Sequence, residues 1–124
     1  MTTTSAGQAS EASSALVEIS NAMVRLYKEA FGRGPTKTRA RFSGADTLVV
    51  LLEDTLTAAE RSLIALGEHG RVRDERLLLH LAFEDLKRSE VERILTRRPV
   101  VWVCGIDPLH DLATEVCTFE SAPV

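Results

Sequence analysis

The sequence predicts an α+β domain of order α-β-β-α-α-β-β, with a four-stranded, largely antiparallel sheet and its helices packed on one face. Three observations carry this. From about Ala9 to Phe31 the apolar residues recur at spacings of three and four, the period of an amphipathic helix. Thr36–Phe42 with Thr47–Leu52, and Val100–Ile106 with Leu112–Glu120, form two pairs of short strand-like runs, each joined by a turn signal. Between the pairs stand a helix-starting motif and a second long helical pattern. Residues 1–8, rich in Thr, Ser, Ala and Gly, are expected to form a disordered tail, and residues 9–124 a single domain.

In the first helix Leu16, Ile19, Met23, Leu26, Tyr27 and Ala30 form one apolar stripe. Glu11 and Glu18 early and Arg25 and Lys28 late complement the helix dipole. Gly32 is a natural stop, since glycine adopts the left-handed closing conformation without steric cost. Gly34-Pro35 then turns the chain. From Thr36 the strand alternates. Thr36, Thr38, Ala40 and Phe42 take one face, while Lys37, Arg39 and Arg41 take the other. Ser43-Gly44-Ala45-Asp46 is a hairpin turn, and Thr47–Leu52 reads as a central strand covered on at least one face.

Thr57 and Glu60 have capping-box spacing, in which the hydroxyl and the carboxylate satisfy free amides at a helix start. The short helix runs through Leu63, Ile64 and Leu66 to Gly67, and Glu68-His69-Gly70 reads as a joint. A long helix follows over about Val72–Leu95, with Leu77, Leu78, Leu81, Phe83, Leu86, Val91 and Ile94 as its expected apolar set. Arg97-Arg98-Pro99 ends it. The strand Val100–Ile106 carries the one tryptophan, Trp102, and Asp107-Pro108 turns the chain into the last strand.

The 124 residues, 44% hydrophobic and 27% charged, match one globular domain with a core of its own. The net charge of -3 argues against a general nucleic-acid binder. No run reaches the roughly 18 apolar residues that span a bilayer, and the N-terminus has no secretory-signal pattern. The expected location is the cytoplasm, at most peripheral to a membrane complex. Cys104 and Cys117 form no CxxC and sit in apolar runs, so they read as small buried hydrophobes rather than a metal or redox pair.

The strongest local signal is cationic. Between Arg25 and Ala45, Arg25, Lys28, Arg33, Lys37, Arg39 and Arg41 are opposed only by Glu29. Arg33, Lys37, Arg39 and Arg41 are the candidate site, for an anion, an acidic protein or an anionic membrane surface. A solvated strand face that guards against aggregation is the plainer alternative. RNA fits less well, because no aromatic residues interleave with the charges. The Gly32–Thr38 run has the wrong glycine spacing and the wrong element order for a phosphate loop. Asp107, His110 and Asp111 are three potential metal ligands that also make an ordinary turn. Glu53 and Asp54 could act as acid and base or lead into the capping box, which Asp54 could help to cap, and His80 with Glu84 reads as a surface pair. No metal and no cofactor is assigned.

The run LYKEAFGRGPTKTRARF, then LVVLLEDTLTAAERSL, then a basic long helix and a short C-terminal hairpin resembles the MpsC-like family. That bacterial domain family is named for a component of a sodium-translocating membrane-potential-generating system. The resemblance spans Leu16–Glu120, and its most specific pieces are Gly32-Arg33-Gly34-Pro35 and Leu52–Thr57 with Glu60. It departs at Asp54, where family members carry Gly or Ser. The resemblance implies a role beside a membrane partner and brings no catalytic residues. The expectation is a non-enzymatic accessory or regulatory domain that binds proteins through the basic strand face. The alternatives are a module for a small anion or nucleotide, and a hydrolase using Glu53, Asp54 or the Asp107–Asp111 turn. A homodimer, through the sheet or the long helices, is also expected.

Overall fold

The computed structural model describes residues 6–120. The tail expected over residues 1–8 lies outside the described residues as far as Ser5. Helix α1 spans Ala6–Phe31, followed by β1 (Lys37–Phe42), β2 (Thr47–Glu53), α2 (Ala58–Ala65), α3 (His69–Leu95), β3 (Pro99–Asp107) and β4 (Leu112–Phe119). The class is α+β. The four strands form one antiparallel sheet in the order β1-β2-β4-β3, so each hairpin contributes one central and one edge strand.

α1 buries Ile19, Ala22, Met23, Leu26 and Tyr27, the stripe that its spacing dictates. Gly32 closes the helix at φ 78, with its N–H donating to Lys28 O at 2.9 Å. Gly34 is required by space. A Cβ there would stand 3.1 Å from the Val24 carbonyl oxygen and 3.2 Å from Val24 Cγ1. This approach folds the chain straight back from helix into β1.

The sheet has two unlike faces. Leu48, Val50 and Leu52 of β2, Ala113, Cys117 and Phe119 of β4 and Trp102 of β3 point under the helices and join Ile19, Met23, Tyr27 and Val91 in the core. The strict alternation of β2 and β4 produces this division. Among the described residues no helix lies over the opposite face.

α2 opens with the expected capping box: Thr57 Oγ1 accepts from Glu60 N–H at 3.2 Å, and Glu60 Oε1 accepts from Thr57 N–H at 2.8 Å. The anticipated joint is shorter than expected, because His69 and Gly70 already belong to α3.

α3 corrects the sequence reading. Its buried positions are Val72, Arg76, His80, Lys87 and Val91, whereas Leu78 and Leu81 are each 67% exposed and Leu86 is 50% exposed. The leucines lie on the outside of the helix and three basic side chains lie on the inside. The physical reason is that the core holds carboxylates from elsewhere in the chain, and an ion-paired, hydrogen-bonded side chain can be buried where an unpaired one cannot. His80 with Glu84 is likewise no surface pair: His80 is buried and Glu84 bonds Arg88.

Candidate functional site

The uncovered sheet face is built in rows by the strand register. One row reads Arg41, Val49, Val116, Val103 across β1, β2, β4 and β3; the next reads Arg39, Leu51, Thr114, Gly105; the third reads Lys37, Glu53, Leu112, Asp107. The face therefore has a valine- and leucine-rich middle, a cationic edge on β1, and an opposite edge on β3 ending in Asp107. Val101 and Val103 are 49% and 56% exposed. Arg39, Arg41, Phe42, Ser43, Val49 and Leu51 line a shallow groove of about 450 Å³ along the cationic edge.

Of the four expected binding residues, Lys37, Arg39 and Arg41 share this face, all exposed. Lys37 Nζ and Arg39 Nη2 lie 3.9 and 3.6 Å from Glu53 Oε2, and Arg41 has no carboxylate partner among the described residues. Arg33 is placed differently. Its guanidinium meets Asp54 at 2.6 Å and donates to Leu56 O at 3.3 Å, so it holds the loop after β2.

The remaining sequence candidates meet at one end of the sheet, around a cleft of about 520 Å³ lined in part by Lys37, Glu53, Asp54, Arg61, His110 and Asp111. Asp54 and Asp111 both take positive φ, 62° and 51°, and Asp54 N–H donates to Asp111 O at 3.1 Å. Glycine suits position 54 for that reason, and aspartate is among the few side chains that tolerate it. Asp111 Oδ1 accepts from Thr55 N–H at 2.8 Å, so the β3–β4 turn clamps the loop between β2 and α2. Arg61 bridges Asp54 and Asp111. Asp54 is an ion-pair partner here; the helix cap is Thr57. Asp107 accepts from the backbone of Leu109 and pairs with His110 at 2.9 Å, and the His110 side chain holds its carboxyl below the ordinary value.

The polar interior was not anticipated. Glu115, 1% exposed, receives Tyr27 OH at 2.6 Å, Trp102 Nε1 at 2.8 Å and Lys87 Nζ at 3.0 Å on both oxygens, with His80 Nδ1 3.3 Å away. Burial opposes its ionisation, but the bonds and charges of His80, Lys87 and Tyr27 outweigh that and hold the carboxyl at about 2. Tyr27 is pushed well above its ordinary value, by burial first and by Glu115 second. His80, Cys104 and Glu115 place ligand atoms within 4.8 Å of one another, as a metal site would. The Lys87 ammonium, 2.9 Å from His80 Nδ1, stands where the cation would go. Burial raises Cys104 and pushes the Cys117 thiol to about 12, so neither is poised as a thiolate.

A second buried cation, Arg76, forks onto Glu60 at 2.6 and 2.7 Å, donates to Thr55 O at 2.7 Å and stacks 3.8 Å from the Phe31 ring centroid. One signal could have located the Glu115 cluster. In LATEVCTF, alternation puts Glu115 on the same face as Ala113, Cys117 and Phe119, and a carboxylate on a core face requires buried donors.

No curated protein and no solved structure matches the chain. The sequence model of the family described as "Na+-translocating membrane potential-generating system (MpsC)" matches residues 12–121. That span takes in the α1-to-β1 turn, the Asp54 loop clamped by Asp111, both buried cations and all four strands, and the chain therefore belongs to the MpsC family.

Proposed function

We propose that this chain is a non-enzymatic accessory domain that binds another protein through its cationic strand β1. The observation that carries the reading is that Lys37, Arg39 and Arg41 line up on an edge strand, beside the groove formed with Val49 and Leu51. An edge strand offers unpaired backbone groups as well as side chains. An extended acidic segment of a partner can add to it as a further strand while its carboxylates meet the cations. The charged groups of the neighbouring cleft are largely paired with one another, Arg33 with Asp54 and Arg61 with Asp54 and Asp111, which favours a structural role for them over acid–base chemistry.

Family membership agrees with a partner in a membrane complex. No described helix is long and apolar enough to cross a membrane, so a part in ion translocation would run through such a partner. The test is affinity capture from detergent-solubilised membranes with the native chain and with Lys37→Glu/Arg39→Glu/Arg41→Glu. The expected result is one specific protein, lost with the triple variant and released as salt rises. Equal capture by the folded triple variant would overturn the reading. A thermal shift with phosphate or a nucleotide, without a captured protein, would favour the anion-binding module instead.

A further inference from the structure

We infer that the uncovered sheet face is closed by a second copy of this chain, packed face to face about a two-fold axis parallel to the strands. The row register decides this geometry. Rotation about an axis along the strands, between β2 and β4, keeps each row at its height and reverses its order. Arg41 then lies over Val103 of the second copy, Val49 over Val116, Leu51 over Thr114, Arg39 over Gly105 and Lys37 over Asp107.

The chemistry agrees at five of the six crossings; at the sixth, Glu53 lies over Leu112 of the second copy and keeps Lys37 and Arg39 of its own chain beside it. The branched residues meet in the middle. Lys37 meets a carboxylate that is half exposed within its own chain. Arg39 meets the one residue on the face without a side chain, which leaves room for a guanidinium. Arg41 lays its alkyl stem on an exposed valine while its head reaches the rim. The other in-plane two-fold sets β1 over β1 with the rows reversed, so that Lys37, Arg39 and Arg41 stack on the cations of the second copy, a like-charge juxtaposition that interfaces avoid. Aligned sheets pack with strands within about 30° of each other, which this axis supplies.

Strands about 4.8 Å apart and about 3.3 Å per residue give a four-strand face of roughly 500 Å². Two such faces bury on the order of 1,000 Å², the lower bound of a specific interface, so the dimer should be reversible at micromolar concentration. The exposed leucines of α3 fit a two-fold less well, because Asp74 and Asp85 bracket Leu78 and Leu81 on one stripe. The dimer covers the same Lys37, Arg39 and Arg41 that the proposed partner would meet, so the two compete for this face, and the Val103 variants below, which leave β1 intact, tell them apart.

The test combines light scattering with cross-linking in a Cys104→Ala background. The native protein should weigh twice its 13.6 kDa at high concentration. Arg41→Cys/Val103→Cys should oxidise to a covalent dimer. Within one chain the two sites are on opposite edges of the sheet, about 14 Å apart, beyond the roughly 7 Å limit for a disulfide. Neither single variant should cross-link. Val103→Arg should raise the dissociation constant at least tenfold, while Val103→Glu, facing Arg41, should not. A monomer at all concentrations overturns the inference, as does a dimer cross-linked by either single variant or by none of the three.

Discussion

Lys87 and Glu115 form a buried ion pair in which Nζ lies 3.0 Å from both carboxylate oxygens, with side chains 2% and 1% exposed. The lysine comes from α3 and the carboxylate from β4, and Tyr27 of α1 and Trp102 of β3 complete the set. One carboxylate thus ties two helices to two strands. Such a pair is not a large net stabiliser relative to an apolar core, but breaking it is costly because the survivor is left buried and uncompensated.

Lys87→Met should therefore destabilise the protein by about 3–5 kcal/mol. Lys87→Met/Glu115→Leu should lose less than Lys87→Met alone, since no charge is then left buried. Urea unfolding of both variants beside the native chain checks the order. A double variant weaker than the single would refute the account.

The same carboxylate sets the acid sensitivity. Glu115 is held at about 2 against an ordinary 4.5, so its contribution is complete above 4.5 and is lost as pH falls toward 2. In that window the unfolded chain binds a proton that the native state refuses, and roughly 3 kcal/mol of stability drains away. Glu60, lowered by Arg76 and Thr57 against its own burial, acts in the same direction. Unfolding free energy measured between about pH 5 and pH 2 should fall more steeply for the native chain than for Glu115→Gln.

Gly34→Ala should destabilise by about 1–3 kcal/mol. The added methyl would meet the Val24 carbonyl oxygen at 3.1 Å, and a helix backbone cannot yield as a side-chain tip can. A thermal midpoint equal to that of the native chain would show that the α1-to-β1 turn relaxes freely.

Asp111→Asn should be close to neutral and Asp111→Ala should cost about 1–3 kcal/mol. Asparagine keeps an oxygen for the Thr55 N–H and tolerates φ 51, whereas alanine leaves the Thr55 and Leu56 amides without their acceptor. Amide exchange at Thr55 and Leu56 gives the readout, since loss of the clamp should speed exchange there before it affects β2.

The strands and the first helix were legible because their patterns are local. The alternation of Lys37–Phe42 placed three cations on one face and Phe42 on the other, and Thr57 with Glu60 marked the helix start to the residue. The extent of α3 and its buried Val91 were legible, but the rest of its buried face was not, because Arg76, His80 and Lys87 are of types that burial rules assign to the surface. Arg76, His80 and Lys87 are inside only because Glu60 and Glu115 are there to receive them, and those partners are remote in sequence. For the same reason Arg33 read as part of a binding surface, although Asp54 and the Leu56 carbonyl claim it.

The strand order β1-β2-β4-β3 has a consequence for how the chain assembles. Each hairpin directly follows a long helix, β1–β2 after α1 and β3–β4 after α3, and both hairpins pair over short loops. The β2–β4 seam, Thr47 with Thr118 through Glu53 with Leu112, joins residues from the two halves. Loop closure of that length is the slow entropic step, so the hairpins should zip first and the seam should close last. Until it closes, β2 and β4 are bare edges with Leu48, Val50 and Leu52 beside them, and nascent chains are then most open to pairing with one another instead of with themselves.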